Sequence, residues 1–391
     1  MGFQEYLSMM RTIQEIILNF LEEEAKSEEN LLILRNKLIN LKISDSKYDL
    51  FSLLHLISKI GNNYHRFPIF FNKIEKILQL FKEDIKKYFS NSEIFIIFKS
   101  NKRILLFLIE QQIVVVDEFI VRKITKTDKY IKAKYPQYFQ SEIQSFINEK
   151  WFPKYDPKDK KLKCNIWVEE LKKGLPENFY EKRKEGENDS QICELIRKDM
   201  IAEFVKYITL SNVSLNANVP PSIYETNSLL LKKQTESYQN QGLTLIEYAA
   251  FFGSIKILNF LRFKDVELKQ SLWTLAIHSQ NVKIIQFLEE NFVELNDKPY
   301  KNVFYESIKC HHNDLANYFI SNFLQNDEEN TQDTINQCLK YYNFTFLTNE
   351  SISKSSFSNL CKYDYYLLVD NLMKDKDIDV NQKEIFSIML I

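Results

Sequence analysis

The sequence predicts an all-α protein: an α-solenoid of two-helix repeats in its second half, preceded by a helical N-terminal region. Three observations lead there. Only six glycines stand in 391 residues, where average usage gives about 27, too few for phosphate-cradling loops or hairpin turns. Apolar residues recur at helical spacing through the first half. In the second half a phrase, Thr244-Leu-Ile-Glu-Tyr-Ala-Ala-Phe-Phe-Gly253-Ser-Ile-Lys-Ile-Leu-Asn-Phe-Leu261, returns in phase. A repeat of this length is a helix, a tight turn and a second helix that buries its apolar face only by stacking on its neighbours.

The N-terminal elements come first. Ile13, Ile16, Ile17, Phe20 and Leu21 form one stripe, Leu31, Leu34, Leu38 and Leu41 a second, and Phe70, Ile74, Ile77, Leu78, Phe81 and Ile85 a third. Each is the spacing of a helix with one buried face. Ile96 to Leu108 aligns without gaps on Ala249 to Leu261, which points to a degenerate two-helix unit here. From Arg122 to Lys163 the pattern loosens around Pro136, Pro153 and Pro157. We expect a helical N-terminal region over 1–185 and repeats over 186–391.

In the repeats, Ala249, Ala276 and Ser307 share one slot, at intervals of 27 and 31 residues. Ile246, Trp273 and Phe304 stand three before it, and Leu261, Leu288 and Phe319 twelve after. The small residues mark a close helix approach and the apolar ones a core face. An earlier copy reads from Leu195 to Tyr207, and a later one from Leu360 to Met373, ending in Asp377-Ile-Asp-Val-Asn381. Residues 209 to 241, with Pro220-Pro221, read as an insertion, and Gln382 to Ile391 as the start of another first helix.

With these residues in view, the chain resembles ankyrin repeats, best over 242 to 261. It is similar to a large family of divergent ankyrin-repeat proteins in protists. Arg183-Lys-Glu-Gly-Glu-Asn-Asp-Ser190, Pro221-Ser-Ile-Tyr-Glu-Thr-Asn-Ser228 and Leu245-Ile-Glu-Tyr-Ala-Ala-Phe-Phe-Gly-Ser254 look like its signature. The likeness covers roughly 180 to 381. The Thr-Pro-Leu-His tetrad of the family reads Thr-Leu-Ile-Glu at 244–247 and Ser-Leu-Trp-Thr at 271–274, which puts the regularity of the turn in doubt. The resemblance implies a protein-interaction module, an adaptor or scaffold without catalysis. Its partner-binding face maps onto Tyr248, Phe251 and Phe252, then Leu275, His278 and Ser279, then Glu306, Lys309 and Cys310. The alternative is that Phe251 and Phe252 pack against an adjacent loop, such as the Pro220-Pro221 insertion.

Composition narrows the chemistry. Net charge is −1, so no global field draws the chain to polyanions. Lysine outnumbers arginine 44 to 8, a bias that discounts arguments from lysine richness. One local patch, Arg122 to Lys163, holds twelve basic against five acidic residues with Tyr130, Tyr135, Tyr138, Phe139, Trp151, Phe152 and Tyr155 between them. Nucleic-acid binding through this stretch is the alternative reading, since lysines neutralise phosphates and aromatics stack on bases.

Five cysteines without a Cys-x-x-Cys favour reduced thiols, hence the cytosol or nucleus. No apolar run reaches the roughly 20 residues that span a bilayer. The first residues carry no basic-then-apolar leader, and Tyr6 stands where a myristoylation motif wants Ser or Thr. Asp375, Asp377 and Asp379 imitate a calcium loop, but Val380 and Phe386 replace its Gly and bidentate Glu. Cys310-His311-His312 are adjacent on a helix, about 100° apart, and do not converge on one ion. His55, His65 and His278 lack a Cys or His at helical spacing, and no nucleophile elbow or phosphate loop is present. The expectation is a monomer that binds a protein partner, with no cofactor, no metal and no catalytic residues.

Overall fold

The last turns of helices leave carbonyls that need donors, and the short turns between helices need residues that tolerate positive φ. Both demands shape this chain. A computed structural model describes residues 3–23, 28–127, 133–146, 174–235, 242–291, 293, 299–324, 331–348, 352 and 354–374. Among these residues every regular element is helical, with one isolated bridge between Asn218 and Thr244. No described helix is long and apolar enough to cross a membrane. The chain divides into two compact units, residues 1–84 with 269–391, and residues 85–268. The boundary expected near 185 falls inside the second.

Helices come in pairs where the repeats were read: Gln191–Arg197 with Ile201–Leu210, Leu245–Phe252 with Ile255–Phe263, Ser271–Ser279 with Val282–Glu290, and Pro299–Lys309 with Asn313–Phe323. Asn91–Phe98 and Lys102–Glu110 pair in the same way, and the gapless alignment sets Lys102 on Ile255 and Glu110 on Phe263. The doubtful tetrad is repaired by its own Glu. Thr244 Oγ1 accepts the Glu247 N–H at 3.4 Å and Glu247 Oε2 accepts the Thr244 N–H at 2.9 Å, a capping box. Ser271–Ser279 has no side-chain cap; there Trp273 Nε1 donates to the Val293 carbonyl at 2.9 Å.

Outside the Asn91–Phe98 and Lys102–Glu110 pair, the turn passes through one left-handed residue. Gly253 takes that place at φ 73°, and Gln280 at 52°, His311 at 59° and Tyr342 at 57° follow in the register of the small-residue slot. Asp199 does so at 48° in the earliest pair and Asp364 at 63° in the last. The residue just after the turn then reaches back to the preceding pair. Ser254 Oγ donates to Ile196 O at 2.6 Å, His312 Nδ1 to Ile277 O at 2.8 Å, Asn343 Nδ2 to Ile308 O at 2.9 Å, and Tyr365 Oη to Leu339 O at 2.8 Å. Every acceptor stands three residues before a left-handed turn, in the last turn of a first helix. Four different side chains thus donate to a carbonyl at the same register, one that also accepts the N–H of the left-handed residue three positions on, each bond contributing about 0.5–1.5 kcal/mol.

Within each unit, first helices pack on first helices, Gln191–Arg197 on Leu245–Phe252 in one and Ser271–Ser279 on Pro299–Lys309 in the other. In the second unit Asp199 also caps the next pair, its carboxylate accepting the Lys256 and Ile257 N–H groups at 3.1 and 3.0 Å.

The unit formed by 1–84 and 269–391 also holds the N-terminal helices Phe3–Glu22, Glu28–Asn40, Lys47–Asn63 and Phe70–Leu80. Ile13, Ile17, Phe20, Leu34, Leu38, Ile74 and Ile77 are buried as their stripes require. Lys47–Asn63 is buried on nearly all of its 17 residues and packs on Phe3–Glu22 and Phe70–Leu80. Lys73 Nζ caps the end of Phe3–Glu22, donating to the carbonyls of Phe20, Leu21 and Glu23. The same first helix is tied to the loop after Gln332–Tyr341: Arg11 Nη2 donates to Leu347 O at 2.6 Å and the Gln14 side chain is bonded to Asn343.

In the second unit, the signature segments of the resemblance are knitted to one another. Asn188 Nδ2 donates to Pro220 O, Ser222 Oγ to Asp189 Oδ1 and Thr226 Oγ1 to Gly186 O, at 2.7, 2.8 and 2.7 Å. Arg183 is buried against Tyr138 and pairs with Glu142 at 2.7 Å. These polar residues fix the long connection before Leu245–Phe252, whose strand-like entry bonds Val219 N to Leu243 O at 2.7 Å.

Candidate functional site

Glu306 and Cys310 are four residues apart at the end of Pro299–Lys309, so their side chains share a face. Ser271–Ser279 packs beside that helix and supplies His278 from its last turn. One ligand atom from each of His278, Glu306 and Cys310 lies within 4.8 Å of the others. His278 Nε2 is 2.7 Å from Glu306 Oε1, and Lys309 Nζ approaches the same oxygen at 2.6 Å.

The electrostatics follow from burial. Removal from water alone would raise the Glu306 pKa, but the His278 hydrogen bond and the Lys309 charge outweigh it and hold the carboxyl at about 2. Burial lowers His278 against the pull of that carboxylate. Lys309 is pulled down by burial and more than restored by Glu306, so its pKa is raised. The Cys310 thiol is pushed well up by burial and is no free thiolate nucleophile. A carboxylate is therefore held between an imidazole and an ammonium, with a protonated thiol beside it.

Around this group stand further imidazoles. His312 meets His65 at a ring distance of 5.5 Å and Tyr64 at 5.2 Å. Because carbonyls only accept, His312 donates from Nδ1 to Ile277, whereas His311 donates from Nε2 to Tyr341 O at 3.1 Å and takes the Gln14 amide on Nδ1 at 3.3 Å. Two neighbouring histidines thus hold opposite tautomers. Burial lowers both, His311 to about 3.

The residues predicted for a partner face are distributed differently from that expectation. Tyr248, Phe251, Leu275, His278 and Cys310 are buried, and Phe252, Ser279, Glu306 and Lys309 half-buried. Five of these nine side chains are thus withdrawn from solvent and the other four partly so. Tyr248 Oη accepts from Arg197 Nη1 at 2.9 Å, and its ring meets Phe252 at 4.7 Å. Ser279 Oγ closes the end of its own helix on Ala276 O at 2.7 Å. His278, Glu306 and Lys309 are brought together, though as a buried network. Glu306 and Lys309 share a face at i, i+3 and His278 reaches them from the helix packed alongside, while the Glu306–Cys310 spacing of four places the thiol on that face.

In the basic stretch, Tyr135, Tyr138 and Phe139 are core residues and offer no faces to bases. Residues 128–132 and 147–163 of that stretch, with Tyr130, Trp151, Phe152 and Tyr155, lie outside the described residues, as do Asp375, Asp377 and Asp379. Comparison with protein-family models, with curated proteins and with solved structures finds no match for this chain.

Proposed function

We propose that the chain is a non-catalytic interaction module of the ankyrin-repeat type, a monomeric adaptor or scaffold that binds another protein. The observation that carries this reading is the ladder of side chains from Ser254, His312, Asn343 and Tyr365 to the carbonyls of Ile196, Ile277, Ile308 and Leu339. A bond repeated at one register, once in one unit and three times in the other, supports stacking of helix pairs within each unit. Such a stack recognises by rigid shape and loses little ordering entropy on binding. The buried thiols of Cys193, Cys310 and Cys338 fit a reducing compartment such as the cytosol.

With Tyr248, Phe251, Leu275 and His278 in the core, the surface offered to a partner lies elsewhere. Two consecutive second helices, Ile201–Leu210 and Ile255–Phe263, pack together and end in Leu210 and Phe263, which are 75% and 79% exposed. Large apolar side chains in that state are candidates for interface anchors. A photo-crosslinking residue at position 263 of the full chain should capture a discrete protein that the same residue at exposed position 118 does not, and Leu210→Glu should abolish the capture. Equal capture at the two positions, or crosslinks to nucleic acid alone, would end this reading.

A further inference from the structure

We propose that His278, Glu306 and Cys310 form a binding site for a single transition-metal dication of the zinc type. The donor set comes first. An imidazole nitrogen, a carboxylate oxygen and a thiolate sulfur suit a borderline-soft tetrahedral ion and not the all-oxygen shells of magnesium or calcium. Geometry follows. The ligand atoms already lie within 4.8 Å of one another, and bonds of about 2.0 Å to nitrogen and oxygen and about 2.3 Å to sulfur set them roughly 3.3–3.5 Å apart around a tetrahedral ion. Side-chain rotations of about 1 Å draw the wider contacts in and part His278 Nε2 from Glu306 Oε1, which stand 2.7 Å apart.

The scaffold holds the set in place. Glu306 and Cys310 leave one helix end a turn apart, and His278 faces them from the helix packed alongside. His278 is 1% exposed, so its ring has few other positions. The site is also already arranged around a positive charge: Lys309 Nζ rests 2.6 Å from Glu306 Oε1. Its side chain is 17% exposed and has a route to solvent, so an arriving dication displaces the ammonium and takes over its place beside the carboxylate. On binding, the thiol gives up its proton to solvent, the His278 Nε2 proton moves to Nδ1, and the freed lone pairs bind the ion. Three protein ligands leave the fourth tetrahedral position to a water molecule. The ligands are drawn from two helices in different repeats, which is why no sequence spacing announces them.

The untagged full chain, stripped with chelator, tests the proposal by titration with Zn²⁺ against a chromophoric competitor and with Co²⁺ followed by absorption. One ion per chain is expected, with a thiolate-to-cobalt charge-transfer band that survives Cys193→Ser and disappears in Cys310→Ser. Lys309→Met should bind Zn²⁺ about tenfold more tightly, since the competing ammonium is gone; this arm stays decisive if Cys310→Ser fails to fold by circular dichroism. Absence of stoichiometric binding, a band that persists in Cys310→Ser, or unchanged or weaker binding by Lys309→Met would overturn the site.

Discussion

Gln14 and Asn343 are hydrogen-bonded to each other across 329 positions of sequence, the Gln14 amide nitrogen donating to Asn343 Oδ1 at 2.9 Å. The other end of the Gln14 amide accepts the Phe344 N–H at 2.6 Å, and Asn343 in turn serves the ladder. Gln14→Ala leaves a buried N–H and a buried amide oxygen short of partners, so we expect a loss of about 2–4 kcal/mol. Urea denaturation of the purified variant measures it. A loss under half a kcal/mol would mean that water replaces the amide.

Ser254→Ala removes the donor to Ile196 O while leaving the helix start otherwise intact. Ile196 O keeps the Asp199 N–H at 2.9 Å, so the loss is that of one hydrogen bond, about 0.5–1.5 kcal/mol. Hydrogen exchange should report it as faster opening of Gln191–Arg197 and Leu245–Phe252 together, because the bond ties the two pairs. Equal protection in wild type and variant would show that the ladder contributes nothing to stacking.

Gln112 is exposed, follows Lys102–Glu110 and holds φ at 56°. A side chain there is strained in the left-handed region, and glycine relieves the strain at some cost in unfolded-state entropy. Gln112→Gly should therefore stabilise the protein by about 0.5–1 kcal/mol, seen as a rise in Tm. A fall in Tm contradicts the turn geometry.

His55 stacks on Tyr342 at 5.2 Å and lies tilted against Phe51 at 4.5 Å. Burial, with the charge of Lys59, lowers its pKa from 6.5 to about 3. The unfolded chain takes up a proton below 6.5 that the folded chain refuses until about 3. Stability is thus full above the unfolded value and is lost as pH falls between the two. Between about pH 7.5 and pH 5 this one group should remove about 2 kcal/mol. His55→Phe keeps a ring against Tyr342 and should flatten that part of the slope in parallel denaturation curves. A slope unchanged by the substitution would assign the acid sensitivity elsewhere.

Much of the helical architecture is legible from residues. The Ile13–Phe20 and Phe70–Leu78 stripes mark faces that are buried, and Gly253 marks a turn whose register recurs at Gln280, His311 and Tyr342. Lys47–Asn63 is not legible, because a helix surrounded by partners has no polar side and so no stripe. The tetrad at 244–247 misleads for a chemical reason: Glu247 lacks the imidazole of the family pattern yet closes the turn by accepting the Thr244 N–H. The cluster is half legible. The i, i+3 spacing brings Glu306 and Lys309 to one face, but nothing in their own segments tells which helices cover that face. Tyr64 and His65 come from more than 200 residues earlier to meet His312.

The pairing of Phe3–Glu22 with the loop that begins at Asn343 has a consequence for biosynthesis. At about 5–20 residues per second, a ribosome needs roughly 15–65 s to travel from Gln14 to Asn343. Through that interval the greasy side of Phe3–Glu22, with Ile13, Ile17 and Phe20, emerges before much of what will cover it exists. The nascent chain thus has a built-in window for holdase engagement, and a stall before position 343 would leave that apolar face short of its cover.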